Sequence, residues 1–388
     1  MKKYRPLFVR GAVRALVLIL LRLTVLGLAW AALKNPAAAR RALRRFRAFT
    51  VAVRGTKSNR IVVFRRRVYW GLHAPAWPGR AFNAFAKDML LRLAGRTPDH
   101  RRLATLIFAV TKKCRYACEH CYAGNWLNGK DALSLDDLKR IMWRFQANGV
   151  WQIQLSGGEP MLRAEDVVAL LRASRGRTSF QLLTTGDGLT PARAIRLREA
   201  GLTGVVVSLD HWDPGRHNAF RKNEAAYDNA VKAAASARAA GLMVSLSLCP
   251  TKEFLRSEAN LWRYFDLARS LGASFVRLLE PMREGKYAAS DVRLGESERS
   301  TLERFFRKAN ADRAFRRHPV VVLPAYHERR AGCLGAGGLF VDVDADGNVN
   351  PCPFRQIRAG NCLTEDVDAI IARMRRTRCD CGYVPMFG

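Results

Sequence analysis

The chain has 388 residues, 49% hydrophobic and 26% charged, with a formal net charge of +33 at pH 7. That length holds one large α/β domain with a smaller companion, or two to three ordinary domains. The nine cysteines cluster at short spacings, which excludes a secreted disulfide framework and fits metal ligation in a reducing compartment.

The charge is uneven. Residues 1–100 carry 22 Lys or Arg against two acids, Asp88 and Asp99, so this end calls for an anionic partner, a membrane surface or a nucleic acid. Gly11 to Leu33 is apolar except for Arg14 and Arg22, with Lys2, Lys3, Arg5 and Arg10 ahead of it. Its longest uninterrupted apolar stretch, Leu23 to Leu33, is well short of the roughly 20 residues that cross a bilayer. On a helix, Arg10, Arg14 and Arg22 fall within an arc of about 120°. A narrow basic stripe on a wide apolar helix describes an interfacial segment; a transmembrane span and a cleaved signal are the two alternatives. A second basic stretch, 39–49, sets Leu43, Phe46 and Phe49 among five arginines and suits anionic headgroups. Residues 1–50 are therefore expected to associate with an anionic membrane surface, placing the protein in the cytoplasm, peripheral on the inner face of the cytoplasmic membrane. Nucleic acid is the weaker partner, since no stacking aromatics accompany the charge.

Residues 51–102 read as a linker or small subdomain. Arg60–Phe64 and Val68–Trp70 suit a short hairpin, 74–79 is a turn-rich break, and little helical periodicity shows. From 103 to 311 strand-like and helix-like runs alternate. The strands are Leu106–Val110, Gln152–Leu155, Phe180–Thr184, Val205–Leu209, Met243–Leu248 and Phe275–Leu279. Helices are expected from the Ser134 cap to Gln146, and over Ala164–Arg172, Pro191–Ala200, Ala225–Ala240 and Ala259–Leu271. Six strands each followed by a helix predict an α/β fold, a partial (β/α)6 TIM-like barrel, with its chemistry at the carboxyl ends of the strands. Residues 312–388 change to short strands, glycines and cysteines, with a hairpin of Leu339–Val343 and Gly347–Asn350, and read as a separate module.

Directly after the first strand stands Cys114-Arg-Tyr-Ala-Cys118-Glu-His-Cys121-Tyr122. Three thiolates on one loop can hold three irons of a four-iron cluster and leave the fourth open to a small molecule. A zinc site using His120 as fourth ligand is the bland alternative. The second strand ends in Ser156-Gly157-Gly158-Glu159-Pro160, the third in Thr184-Thr-Gly186, the fourth in Ser208-Leu-Asp210, and the sixth carries Arg277-Leu-Leu-Glu-Pro281. Glycine suits a strand end where the backbone approaches a ligand.

In this order these elements resemble the radical S-adenosylmethionine (radical SAM) superfamily over roughly residues 103–285. The resemblance implies that Cys114, Cys118 and Cys121 hold a SAM-binding 4Fe–4S cluster and that Tyr122 is the aromatic next to it. It implies that Gly157, Gly158, Glu159 and Pro160 receive the amino group of the SAM methionine. Thr184 and Ser208 become candidates for its carboxylate, with strand-end capping as the alternative. Asp210 falls at the site rim, Leu278 near the adenine, and Glu280 in the cavity as a catalytic residue. The implied chemistry is reductive cleavage of SAM to a 5′-deoxyadenosyl radical that abstracts hydrogen, with electrons from a flavodoxin- or ferredoxin-type reductant.

The tail cysteines are Cys333, Cys352, Cys362, Cys379 and Cys381, and Gly347–Cys352 resembles the start of a SPASM or Twitch module. The resemblance implies one auxiliary 4Fe–4S cluster on Cys333, Cys352 and Cys379 or Cys381, with zinc as the alternative. Cys249 reads as a buried thiol; His211 and His217 are loop histidines that could meet substrate. The apolar N-terminus points to a lipid or other hydrophobic substrate. A precursor peptide is the alternative; an RNA substrate and a non-enzymatic electron carrier are weaker ones.

Overall fold

The computed structural model describes residues 6–9, 11–54, 60–69, 71–72, 74–96, 103–175, 178–336 and 338–376. The chain opens with β1 (Leu7–Val9), α1 (Gly11–Leu33), α2 (Pro36–Arg54), the hairpin β2 (Ile61–Phe64) and β3 (Arg67–Tyr69), and α3 (Arg80–Leu93). β1 adds antiparallel to β2, giving a three-stranded sheet. The hairpin was expected; α3 was not. Its buried Phe82, Phe85, Ala86, Met89 and Leu90 have the i, i+3, i+4, i+7 spacing of a helix face, so the periodicity is present but short. α3 packs against α1 and α2 around Val25, Ala29, Leu33, Ala39 and Ala42.

α1 is amphipathic in an unusual sense. One apolar side packs on α3, while Val13, Leu16, Ile19, Leu20, Leu23, Leu26 and Trp30 stay exposed, Trp30 at 59%. At 23 residues, about 34 Å, it is long and apolar enough to cross a membrane by length and composition. In α2, Leu43 and Phe46 turn inward, Phe46 against Phe85 at 6.3 Å, so these two side chains face protein and not headgroups.

Strand and helix then alternate: β4 (Thr105–Ala109), α4 (Leu135–Ala147), β5 (Gln152–Ser156), α5 (Ala164–Arg172), β6 (Ser179–Thr184), α6 (Pro191–Ala200) and β7 (Leu202–Ser208). After these come α7 (Pro214–Arg221), α8 (Ala226–Ala240), β8 (Met243–Leu248), α9 (Lys252–Leu255), α10 (Ala259–Ser270), β9 (Phe275–Leu278) and α11 (Glu296–Ala311). The six expected strands all form. α4 starts at the expected cap: Ser134 Oγ accepts the Asp137 N–H at 3.1 Å and Asp137 accepts the Ser134 N–H at 3.1 Å.

The remainder is β10 (Val320–Val322), α12 (Pro324–Ala331), β11 (Phe340–Val343), β12 (Asn348–Asn350), β13 (Gly360–Asn361) and α13 (Val367–Arg376). β10 pairs parallel to β9, and β11 pairs parallel to β4. The tail hairpin β11–β12 forms as expected but is continuous with the main sheet, whose order is β10-β9-β8-β7-β6-β5-β4-β11-β12-β13. The stretch after residue 312 therefore extends the barrel sheet on both edges. The reason is apolar: Val321, Val341 and Val343 enter the same core as Leu106, Ile153 and Val276.

The sheet curls around its own floor. Val62, Phe64, Tyr69 and Leu72 pack on Met243, Phe275 and Val320 at the amino ends of β8, β9 and β10. The Leu72 carbonyl also accepts hydrogen bonds from Gln152 Nε2 (2.8 Å) and Gln181 Nε2 (3.4 Å), on β5 and β6. One short segment can touch all five strands only if they bend around it. The N-terminal hairpin thus plugs the amino end of the barrel and leaves the carboxyl end for chemistry.

Candidate active site

The cysteine loop leaves the carboxyl end of β4 and is fixed from two sides. Lys112 N–H and the Thr111 hydroxyl donate to Asp131 (2.6 and 2.8 Å), and Cys114 N–H donates to Asn128 Oδ1 (2.9 Å). From across the loop, Lys286 donates its N–H to the Cys121 carbonyl (3.0 Å) and its ammonium to the Ala117 carbonyl (2.7 Å). The adjoining Gly285 has φ +56°, and a Cβ there would lie 2.3 Å from the Cys121 oxygen. Only glycine fits so close an approach.

Cys118 is buried; Cys114 and Cys121 are partly so, and all three gather with Tyr116 and Ala226. Burial pushes the Cys114 thiol up to about 12, and the charges of Glu159, Cys118 and Cys121 add to it. Burial, then the Cys118 charge, raises Cys121 as well. Among the described residues no three Cys, His, Asp or Glu side chains come close enough to share one metal ion. The His120 ring stacks on Phe220 at 4.6 Å, its buried Nδ1 has no hydrogen-bond partner among the described residues, and burial pushes it down to about 4.

A buried ion pair sits under Cys118. The Arg221 guanidinium bonds Asp210 Oδ2 through Nε (2.6 Å) and Nη2, while its Nη1 donates to Cys118 Sγ at 3.5 Å. Asp210 Oδ1 accepts the Cys249 N–H (2.9 Å), and Cys249 is the buried thiol expected. Burial opposes the Asp210 charge, but Arg221, His120 and His217 outweigh it and hold the carboxyl below its usual range. His217 Nδ1 accepts the Asp210 N–H (3.0 Å) and His211 Nδ1 accepts the Asp213 N–H (2.9 Å). Both rings are buried and serve the backbone. Sequence reading missed Arg221, which is 103 residues from Cys118 with no short-range signal.

The Gly157-Gly158 pair answers to protein, not to open space. A Cβ at Gly157 would lie 2.4 Å from the Thr111 oxygen, and one at Gly158 2.2 Å from the Lys113 oxygen. The glycines let β5 dock on the start of the cysteine loop through Gly158 N–H to Thr111 O and Glu159 N–H to Lys113 O, both 2.8 Å. Glu159 is buried and accepts four hydrogen bonds: Met161 N–H (3.0 Å), the Thr184 hydroxyl (2.8 Å), and the Thr185 N–H and hydroxyl (2.7 and 2.6 Å). Burial raises its pKa against those bonds. Thr184 in turn accepts the Gly186 N–H (2.9 Å). Glu159 and Thr184 thus staple β5 to β6, and Pro160 begins the buried turn beyond.

The order of these pieces along the chain finds its counterpart in known proteins. Residues 108–252 match the Radical SAM superfamily. The chain is 31% identical to the GTP 3′,8-cyclase of Rhizobium etli over 224 residues, which is 55% of this chain and 63% of that protein. The chain carries a radical SAM domain. It is also 26% identical to the AdoMet-dependent heme synthase of Oleidesulfovibrio alaskensis over 317 residues, 74% of this chain and 79% of that one. The fold is similar to that of Streptococcus suis SuiB bound to precursor peptide SuiA, with a TM-score of 0.60 at 16% identity over 81% of this chain and 76% of SuiB. The chain spans less than two thirds of the length of the cyclases it matches.

The radical SAM family implies a 4Fe–4S cluster and SAM, and the all-thiol donor set of Cys114, Cys118 and Cys121 fits the cluster. Two expected site residues are corrected. Leu278 does not face the cavity: β9 alternates, and Val276 and Leu278 enter the helix-side core while Arg277 takes the inner face. Glu280 lies outside the barrel, where Arg329 holds both its oxygens (2.8 and 3.1 Å) and Arg299 stands at 3.9 Å. Ser208 does face inward, in register with Ser247 of β8. The Tyr122 hydroxyl meets Ser156 Oγ at 3.1 Å on the same inner face. In the tail, Cys362 is fully buried and donates its thiol to the Gly347 carbonyl (3.1 Å), while Cys333 and Cys352 are partly exposed. Cys379 and Cys381 lie outside the described residues.

Proposed function

We propose that this radical SAM protein cleaves SAM reductively and takes a hydrogen atom from a substrate held inside the barrel. The observation that carries the reading is the cysteine loop itself: three thiols set over the open, carboxyl end of a parallel barrel whose other end is plugged. When bound, the cluster and SAM supply a 5′-deoxyadenosyl radical, using one electron from a flavodoxin- or ferredoxin-type donor. The chain's residues do the rest. Arg221 places a fixed positive charge beside Cys118, offsetting the thiolate charge that gathers on loading. Glu159 ties the ends of β5 and β6 under the loop, and the hairpin floor keeps bulk water from the amino end. The test is anaerobic reconstitution with iron and sulfide, then SAM and dithionite. 5′-Deoxyadenosine is the expected product, and its absence from iron-replete protein would count against the reading.

A second part of the reading concerns location. The exposed stripe from Val13 to Trp30, beside the exposed arginines of α2, supports peripheral attachment to an anionic bilayer. Full-length protein is expected to cosediment with vesicles containing anionic lipid, and Leu16→Ser/Leu23→Ser/Trp30→Ser to lose at least tenfold of that binding. Equal binding by both proteins would remove the stripe from the account. An auxiliary 4Fe–4S cluster on Cys333 and Cys352, completed by Cys379 or Cys381, belongs to the same proposal; the bonded, buried Cys362 is not among its ligands.

A further inference from the structure

Above the plugged floor, the β7–β9 side of the barrel interior is polar. The inner-face residues one layer up are Ser208, Ser247 and Arg277, joined in register across β7, β8 and β9. Phe275, two residues before Arg277, belongs to the floor cluster, which fixes Arg277 just above it. Tyr122 approaches from the cysteine loop, bonded to Ser156. Below this layer, Ser245 in register with Phe275 and Gln154 in register with Gln181 leave Oγ and Oε1 buried without a hydrogen-bond partner among the described residues.

Arg277 is the odd member. Its Nε donates to Ser247 Oγ at 3.3 Å, and no carboxylate among the described residues pairs with it. Burial pulls it down to about 10, and Tyr122 is the one titratable neighbour that favours its charge. Yet it is partly exposed, so its guanidinium borders space that a ligand can enter. Enclosed cations in proteins are paired, because an unpaired one forfeits its hydration for nothing. Elsewhere in this chain the buried arginines obey: Arg221 has Asp210, and Arg60 caps the carbonyls of Ala309, His318 and Pro319.

We infer that Arg277, with Ser247 beside it, is the receptor for an anionic oxygen group, carboxylate or phosphate, carried by the substrate. The inference rests on the radical SAM reading and narrows it. The planar fork of Arg277 takes an oxyanion bidentately through Nη1 and Nη2, since Nε is held by Ser247. Ile107, Leu183 and Val206 share the inner face on β4, β6 and β7, so the oxyanion site on β8 and β9 adjoins an apolar wall.

The experiment titrates the reconstituted, SAM-bound full chain with inorganic phosphate and, separately, acetate by calorimetry, which tells the two oxyanion types apart. Wild type is expected to bind at least one, with Arg277→Met at least tenfold weaker and Arg277→Lys intermediate. A wild type that binds neither, or an Arg277→Met protein that binds as tightly as wild type, overturns the assignment. So does a tenfold loss of SAM affinity in Arg277→Met, which would give Arg277 to the cofactor's own carboxylate. Failure of the underlying reading shows separately, as a wild type that binds no SAM.

Discussion

Replacing Arg221 with methionine is expected to cost about 3–5 kcal/mol of stability at neutral pH, the usual penalty for stranding one partner of a buried ion pair. Both side chains are nearly sealed, at 8% and 3% exposure, so solvent screening gives little relief. The pH dependence comes from the direction of the shift. In the wild type Asp210 is held below its ordinary value, so its contribution is present above the unfolded carboxylate pKa and is lost as pH falls through the folded one. Without Arg221, burial dominates and the Asp210 pKa rises, so the variant gains in relative stability as the solution becomes acidic. Melting curves from pH 3 to pH 8 should therefore converge at the acid end and part at the neutral end. A constant gap would mean that Arg221 acts through packing alone. The same variant has a redox signature, because hydrogen bonds and positive charge near cluster sulfurs favour the reduced state. Its midpoint potential, read by EPR during reductive titration, is expected to move negative.

Glu159→Gln is expected to be nearly as severe, although the side chains are almost isosteric. The carboxylate accepts from four donors and offers none, so an amide must point its NH2 at one of them. Each donor left facing a donor costs about 1–3 kcal/mol. The loss also reaches function, since Glu159 fastens the end of β5, which docks on the cysteine loop, to the end of β6. Lower melting temperature together with at least tenfold weaker SAM binding is the expected pair of results. Weaker SAM binding at unchanged melting temperature would instead mean that the carboxylate contacts SAM directly.

The barrel strands and helices were legible in the sequence because each is a long, uniform run bounded by caps and glycines. The cysteine loop was legible because its ligands are local in sequence. What escaped depends on alternation and on distance. Val276, Arg277 and Leu278 occupy opposite faces in turn, so Arg277 takes the inner face and the Leu278 side chain, expected near the adenine, enters the helix-side core. Glu280 lies past the strand end, where its partners on α11 and α12 draw it outward. β10 was missed because three valines make too short a run, and α3 because Ala81, Ala84, Leu91 and Leu93, off its buried face, blur the period of the buried positions. The pairing of Arg221 with Cys118 has no sequence signal at all. Gly157 and Gly158 were rightly singled out for close approach, but the atoms they approach belong to Thr111 and Lys113.

The central claim is that Cys114, Cys118 and Cys121 together hold a cluster that binds SAM. The direct measurement is iron content and the EPR spectrum with and without SAM, on reconstituted wild type and on Cys114→Ala/Cys118→Ala/Cys121→Ala. The triple variant is expected to lose about four irons per chain, to show no SAM-dependent change in its spectrum, and to make no 5′-deoxyadenosine. A triple variant that keeps its SAM-dependent spectrum and still makes 5′-deoxyadenosine would contradict the claim.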